Sequence, residues 1–131
     1  MDINNNNEIS SAKYLETLRE KNKLFHSLSF DTISAIGKNA ALPHYRVNIQ
    51  SNTSFTINKL YLVDSGAQYY DGTTDITRTI VLGEATMEQK EMFTRVLKGH
   101  IALSKHKFKK GTKGADIDYL ARKSLNEIGC D

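Results

Sequence analysis

The stretch LYLVDSGAQYYDGTTDITRT, residues 60–79, holds three aspartates, two glycines and four threonines in twenty positions. Asp64 follows the apolar run Leu60-Tyr61-Leu62-Val63 and precedes Ser65-Gly66. Asp75 opens a second run, Ile76-Thr77-Arg78-Thr79-Ile80-Val81-Leu82. Val, Ile, Tyr and Thr suit a pleated, half-buried surface, so two strands with a glycine-containing connection are expected. A carboxylate at each of two strand ends can hold a hard cation through oxygen. Aspartate at a surface turn also caps the local backbone, so the residues alone leave both roles open.

The register of these strands decides whether the two carboxylates can meet. Asp71-Gly72 is a hairpin turn signal. A two-residue turn there pairs Asp64 with Thr79 and leaves Asp75 four residues out of register, about 13 Å along the strand. A longer loop centred between Tyr69 and Tyr70 instead sets Asp64 opposite Asp75.

The chain of 131 residues amounts to one domain or part of one, long enough to bury a core. With 39% hydrophobic and 25% charged residues it has an ordinary globular composition. The net charge of +3 compels no nucleic-acid partner. Cys130 is the only cysteine, which excludes an intrachain disulfide or cysteine zinc site and fits a reducing, cytoplasmic setting. No long apolar run or charged-then-apolar leader is present, so neither a membrane span nor a secretory signal is expected.

Residues 1–7 are Asn-rich and read as a disordered lead-in. Ala12, Leu15, Leu18 and Phe25 recur at helical spacing, which predicts an amphipathic helix over about residues 8–26, capped by Ser10 or Ser11. Residues 29–36 alternate as a short strand ending at Gly37. Pro43 biases Leu42 away from helix and displays His44 on a stiff, extended segment. Residues 47–58 are a polar surface connection. Thr86 and Gln89 form a capping-box pattern. Met92, Phe93, Val96, Leu97, His100 and Ile101 continue it as a helix over 87–106, with His100 expected at the core or its boundary. Lys105 to Lys110 set cations at that helix's C-terminus, where the dipole favours them. A last helix is expected to start at Asp116 as its cap and to end at Gly129.

Three of these stretches together resemble the Xaa-Pro aminopeptidases, of the pita-bread metallopeptidase family. Asn39-Ala-Ala-Leu-Pro-His44-Tyr45 resembles the family segment that carries a substrate-contacting histidine. Residues 64–79 are similar to its first metal-binding hairpin. Phe93-Thr-Arg-Val-Leu-Lys-Gly-His-Ile-Ala, Gly111-Thr-Lys-Gly and Leu120-Ala-Arg resemble the family's segments C-terminal to that hairpin. The resemblance covers residues 8–131 and implies an α+β class: a partial pita-bread fold, an antiparallel sheet with helices packed on one face, as the N-terminal half of a catalytic domain. It also favours the register with Asp64 opposite Asp75.

The same resemblance implies a hydrolase that releases an N-terminal residue preceding proline, using two divalent metal ions, commonly manganese. Asp64 would bind one ion, Asp75 would bridge both, and His44 would serve as catalytic and substrate-binding residue. Hard carboxylate oxygens suit such metals. Asp71 matches no ligand position and is expected to be a turn residue. The implied partner is a peptide with proline in second position, and a homodimer of the complete protein is compatible with the family.

The family's remaining ligands, a histidine in an HGTGHG-like segment and two glutamates, have no counterpart in these residues. A site of two carboxylates without its third ligand or supporting shell should bind metal weakly, so the chain by itself is expected to be inactive. The alternatives are a non-catalytic pita-bread module that binds peptides or proteins, or the product of a split gene. Both aspartates and His44 are superfluous to a binding module, which weighs against the former. Helix faces at Phe93, Val96, Leu97 and at Leu120, Leu125, Ile128 are expected to lack part of the sheet that would cover them.

Overall fold

The structure, a computed structural model, describes residues 5–130. The chain divides into two compact units, residues 1–84 and 85–131.

The first unit contains α1 (Glu8–Glu20), β1 (Phe25–Leu28), β2 (Ile33–Ile36), a short 3-10 helix (Gly37–Ala41), β3 (Lys59–Ser65), β4 (Ala67–Tyr69), β5 (Gly72–Thr73) and β6 (Ile76–Leu82). All pairings are antiparallel, in two three-stranded sheets ordered β2-β3-β6 and β1-β4-β5. β3 with β4, and β5 with β6, are the two arms of one long hairpin. Lys59 pairs with Leu82 at its base and Tyr69 with Gly72 at its tip, in a single register interrupted around Gly66.

α1 is shorter than its periodicity predicted. Phe25 belongs to β1 instead, where its ring meets Tyr69 edge-on at 6.2 Å. Four residues with only Phe25 and Leu28 partly covered carry too little alternation to announce a strand. The cap is also displaced. Asn7, not Ser10 or Ser11, is the N-cap, accepting from the Ser10 N–H at 2.8 Å while Ser10 Oγ accepts from the Asn7 N–H at 2.9 Å. Of the Asn-rich lead-in, residues 1–4 lie outside the described residues, whereas Asn7 also bridges to Ser54, so order begins before residue 8.

The buried apolar centre of this unit is small: Ala12 from α1, Ala35 and Ile36 from β2, Tyr45, Tyr61 and Ala67. Several polar groups inside it are hydrogen-bonded, whereas Thr32 Oγ1 is buried without a partner among the described residues. Tyr61 Oη bonds Ser34 Oγ at 2.9 Å and donates to Ser11 Oγ at 3.0 Å, linking β3 to β2 and α1. Glu8 is fully buried at 0% exposure. The connection over residues 47–58 is therefore more than surface chain, because Thr53 N–H donates to Glu8 Oε2 at 3.0 Å.

The second unit is a helix pair, α2 (Met87–Lys105) and α3 (Gly114–Asn126). The Thr86–Gln89 capping box forms as expected. The two helices touch closely at Gly99, where an added Cβ would strike the Ala121 carbonyl. Arg95 joins the helices by donating to the Ser124 carbonyl at 2.6 Å and pairing with Glu127 at 3.5 Å. Asp116 is not the cap of α3. Lys113 takes that position, and Asp116 reaches back to accept its N–H at 2.9 Å. Gly129, at φ 73°, terminates the helix in the left-handed conformation, with Cys130 N–H bonded to the Leu125 carbonyl. His100 is exposed, contrary to its expected place at the core. Phe93, Val96 and Leu97 are exposed as expected, at 60%, 56% and 42%.

Candidate metal centre

β3 is the central strand of its sheet, and Asp64 stands near its C-terminal end between Ile33 of β2 and Thr77 of β6. Both predicted registers are therefore corrected. The two-residue turn is Tyr70-Asp71, flanked by the Tyr69–Gly72 pair, which sets Asp64 opposite Thr77. Carried one step past the last ladder pair, Ser65–Ile76, this register brings Asp75 level with Gly66, diagonal to Asp64. Such neighbours lie about 7–8 Å apart. Asp71 is a turn residue, as expected.

Close approach of the two arms explains the local irregularity. A Cβ on Gly66 would collide with the Thr74 carbonyl oxygen and Ser29 Oγ and lie 2.8 Å from the Thr74 carbonyl carbon. Side chains supply the bonds that the interrupted ladder lacks. Ala67 N–H donates to Thr74 Oγ1 at 3.0 Å, and Ser29 Oγ donates to the Thr74 carbonyl at 3.0 Å. Arg19, from the last turn of α1, donates to Ser65 Oγ at 2.8 Å and to Thr74 Oγ1 at 3.4 Å. It thereby grips the residue beside each aspartate without forming an ion pair with either.

The two carboxylates differ in environment. Asp75 is exposed and bonded to none of the described residues. Asp64 is half-buried, and its Oδ1 is shut off from solvent with no hydrogen-bond donor. A buried acceptor left without a partner costs about 1–3 kcal/mol, more when charged. A cation at that oxygen would remove the deficit, so the donor chemistry fits a hard divalent ion. Among the described residues, no group of three or more His, Cys, Asp or Glu is arranged to hold one.

His44 lies outside this pair. It is exposed in the turn after the 3-10 helix, with φ at 53°, and no hydrogen bond joins it to Asp64 or Asp75. Leu42 is extended before Pro43 as predicted, but residues 37–41 are helical, not extended. Sequence reasoning missed both Arg19 and Glu8. Glu8 looks like an ordinary first-turn acid, and nothing local marks an arginine whose partners are remote in sequence.

The fold places the chain among metallopeptidases. The chain matches Metallopeptidase family M24 over residues 4–131 and belongs to it. It is 52% identical over 124 residues to a probable Xaa-Pro aminopeptidase P of Botryotinia fuckeliana, a match that covers 95% of this chain and 19% of that protein. Among solved structures, the X-prolyl aminopeptidase of Caenorhabditis elegans, described as a cytosolic enzyme with a di-nuclear active site, superposes with a TM-score of 0.85. The identity is 42%, over 97% of this chain and 21% of that one. The X-Pro aminopeptidase of Thermotoga maritima gives 0.82 at 31% identity, over 98% of this chain and 35% of that one. The fold is thus part of the pita-bread architecture, and the chain spans about a fifth of the length of the curated relatives it matches. Among the described residues, no helix is long and apolar enough to cross a membrane.

Proposed function

We propose that the chain is the first part of a cytoplasmic, manganese-dependent Xaa-Pro aminopeptidase catalytic domain, with residues 8–131 as its N-terminal half. The substrate is a peptide with proline in second position, cleaved before that proline. The observation that carries this is the partnerless, buried Oδ1 of Asp64, with Asp75 two register positions away on the facing arm. Two divalent ions, when bound, acidify a shared water and polarise the scissile carbonyl. Asp64 and Asp75 would supply oxygens to hold those ions, while Gly66 and Arg19 fix the separation of the two arms. His44, exposed and without a hydrogen bond to any described residue, is available to donate to charge developing on the substrate.

Alone, the chain lacks a third ligand among its described residues, and no turnover is expected with an Xaa-Pro peptide and added manganese. Turnover that disappears in Asp64→Ala would overturn that expectation. The activity itself is tested in a chimaera carrying this chain in place of the 124 matching residues of the Botryotinia fuckeliana protein. Xaa-Pro cleavage should persist and be abolished by Asp64→Ala or Asp75→Ala. A chimaera indifferent to both substitutions sinks the assignment.

A further inference from the structure

Glu8 is fully buried, yet it forms no ion pair with any described residue, and the proposed chemistry does not use it. Its Oε1 accepts from the Ile36 N–H at 2.8 Å and from Asn39 Nδ2 at 3.0 Å. Its Oε2 accepts from Tyr45 Oη at 3.0 Å, from the Thr53 N–H at 3.0 Å, and from Asn39 Nδ2 at 3.2 Å. A buried carboxylate persists only when such donors replace water. Asn39 and Tyr45 are the two ends of the segment that carries His44.

Within that segment the chain turns tightly. Leu42 N–H donates to the Asn39 carbonyl at 3.1 Å, and Tyr45 N–H to the Leu42 carbonyl at 3.2 Å. His44 is left at φ 53°, a conformation uncommon for residues other than glycine. Such backbone survives where the surroundings over-determine it, and it clusters at functional sites. Here, Tyr45, the residue immediately after His44, is buried and pinned through its hydroxyl to Glu8, while Asn39 is pinned from the other end.

We infer that Glu8 is a positioning residue: by clamping Asn39 and Tyr45 it holds His44 in its left-handed conformation and directs the imidazole outward. The functional meaning of this clamp rests on the proposed role of His44 at the substrate. Removing the carboxylate would loosen the segment, leaving Tyr45 Oη its bonds to Ser51 and Asn39 Nδ2 its bonds to Ser51 and Thr53, even though Glu8 never touches His44.

The test uses the chain itself and nuclear magnetic resonance. Tyr45→Phe removes one hydroxyl and preserves the buried ring; Glu8→Gln keeps the shape but turns an NH₂ toward donors. In both variants the strong intraresidue HN–Hα cross-peak of His44, a signature of positive φ, should weaken. Amide exchange at Tyr45 should accelerate about tenfold, the loss of one hydrogen bond, while exchange at Tyr61 on β3 stays as in the native chain. An unchanged His44 signature, or equal acceleration at Tyr45 and Tyr61, overturns the clamp and leaves Glu8 a general stabiliser. The reading of His44 fails separately: a His44→Ala chimaera with full turnover would discard its substrate role without altering the resonance result.

Discussion

Gly66→Ala puts one methyl group where the two arms of the hairpin come closest. The new Cβ would lie 2.8 Å from the Thr74 carbonyl carbon, about 0.7 Å inside optimal contact, and would overlap the Thr74 oxygen. The obstacle is backbone, so no side-chain rotation relieves it. Separating the arms costs about 1–3 kcal/mol as overpacking. Displacing the Ser29–Thr74 hydrogen bond adds up to about 1 kcal/mol. The total, about 1–4 kcal/mol, is a large part of a typical stability of about 5–15 kcal/mol and corresponds to a fall in Tm of roughly 10 °C. Gly72→Ala is the control, because nothing lies within 4 Å of a Cβ there. Urea unfolding followed by circular dichroism would measure both. If Gly66→Ala stays within about 0.5 kcal/mol of the native chain, the close contact is not a constraint and its role in spacing the aspartates falls with it.

Asp64→Asn removes an uncompensated charge from a half-buried site, so it should raise stability by about 1 kcal/mol while eliminating manganese-induced line broadening at residues 64 and 75; a destabilised variant would refute the orphan-oxygen account. Burial pushes the Tyr45 hydroxyl above its usual value of 10.0; the bond to Ser51 lowers it, while bonding and charge from Glu8 raise it further. The folded chain therefore keeps that proton longer than the unfolded one, and the Tyr45 contribution is present below pH 10 and lost as pH rises through the raised value. Comparing urea titrations at about pH 9 and about pH 11 should give a steeper loss for the native chain than for Tyr45→Phe, and parallel losses would contradict this. The exposed Phe93, Val96 and Leu97 should make the chain self-associate. Sedimentation velocity should show mass rising with concentration and falling again in Phe93→Ser/Leu97→Ser, whereas a monomer at every concentration would count against an uncovered apolar face.

Local chemistry made much of this molecule legible. The helix at 87–105 comes from apolar spacing and the Thr86–Gln89 box, both short-range features. The turn role of Asp71 and the terminal Gly129 likewise depend on residues a few positions apart. Boundaries misread from the same signals have local causes too. Asn7 is the cap and Ser10 its partner in the capping box, two polar side chains that local sequence does not rank, and Asn7 is also tied to Ser54.

The residues alone left the roles of Asp64, Asp75 and His44 open, and their candidacy as donors came from a wording similar to one metallopeptidase family. How those groups are held emerged only from the folded chain. Alternation along a strand is blind to a shift of the facing strand, so the pairing of Asp64 with Thr77 required the sheet itself. Glu8 and Arg19 were invisible for the same reason. Each acts on partners brought near only by folding, Glu8 on Asn39 and Tyr45, Arg19 on Ser65 and Thr74, because hydrogen bonds over about 3 Å depend on proximity in space and not on order along the chain.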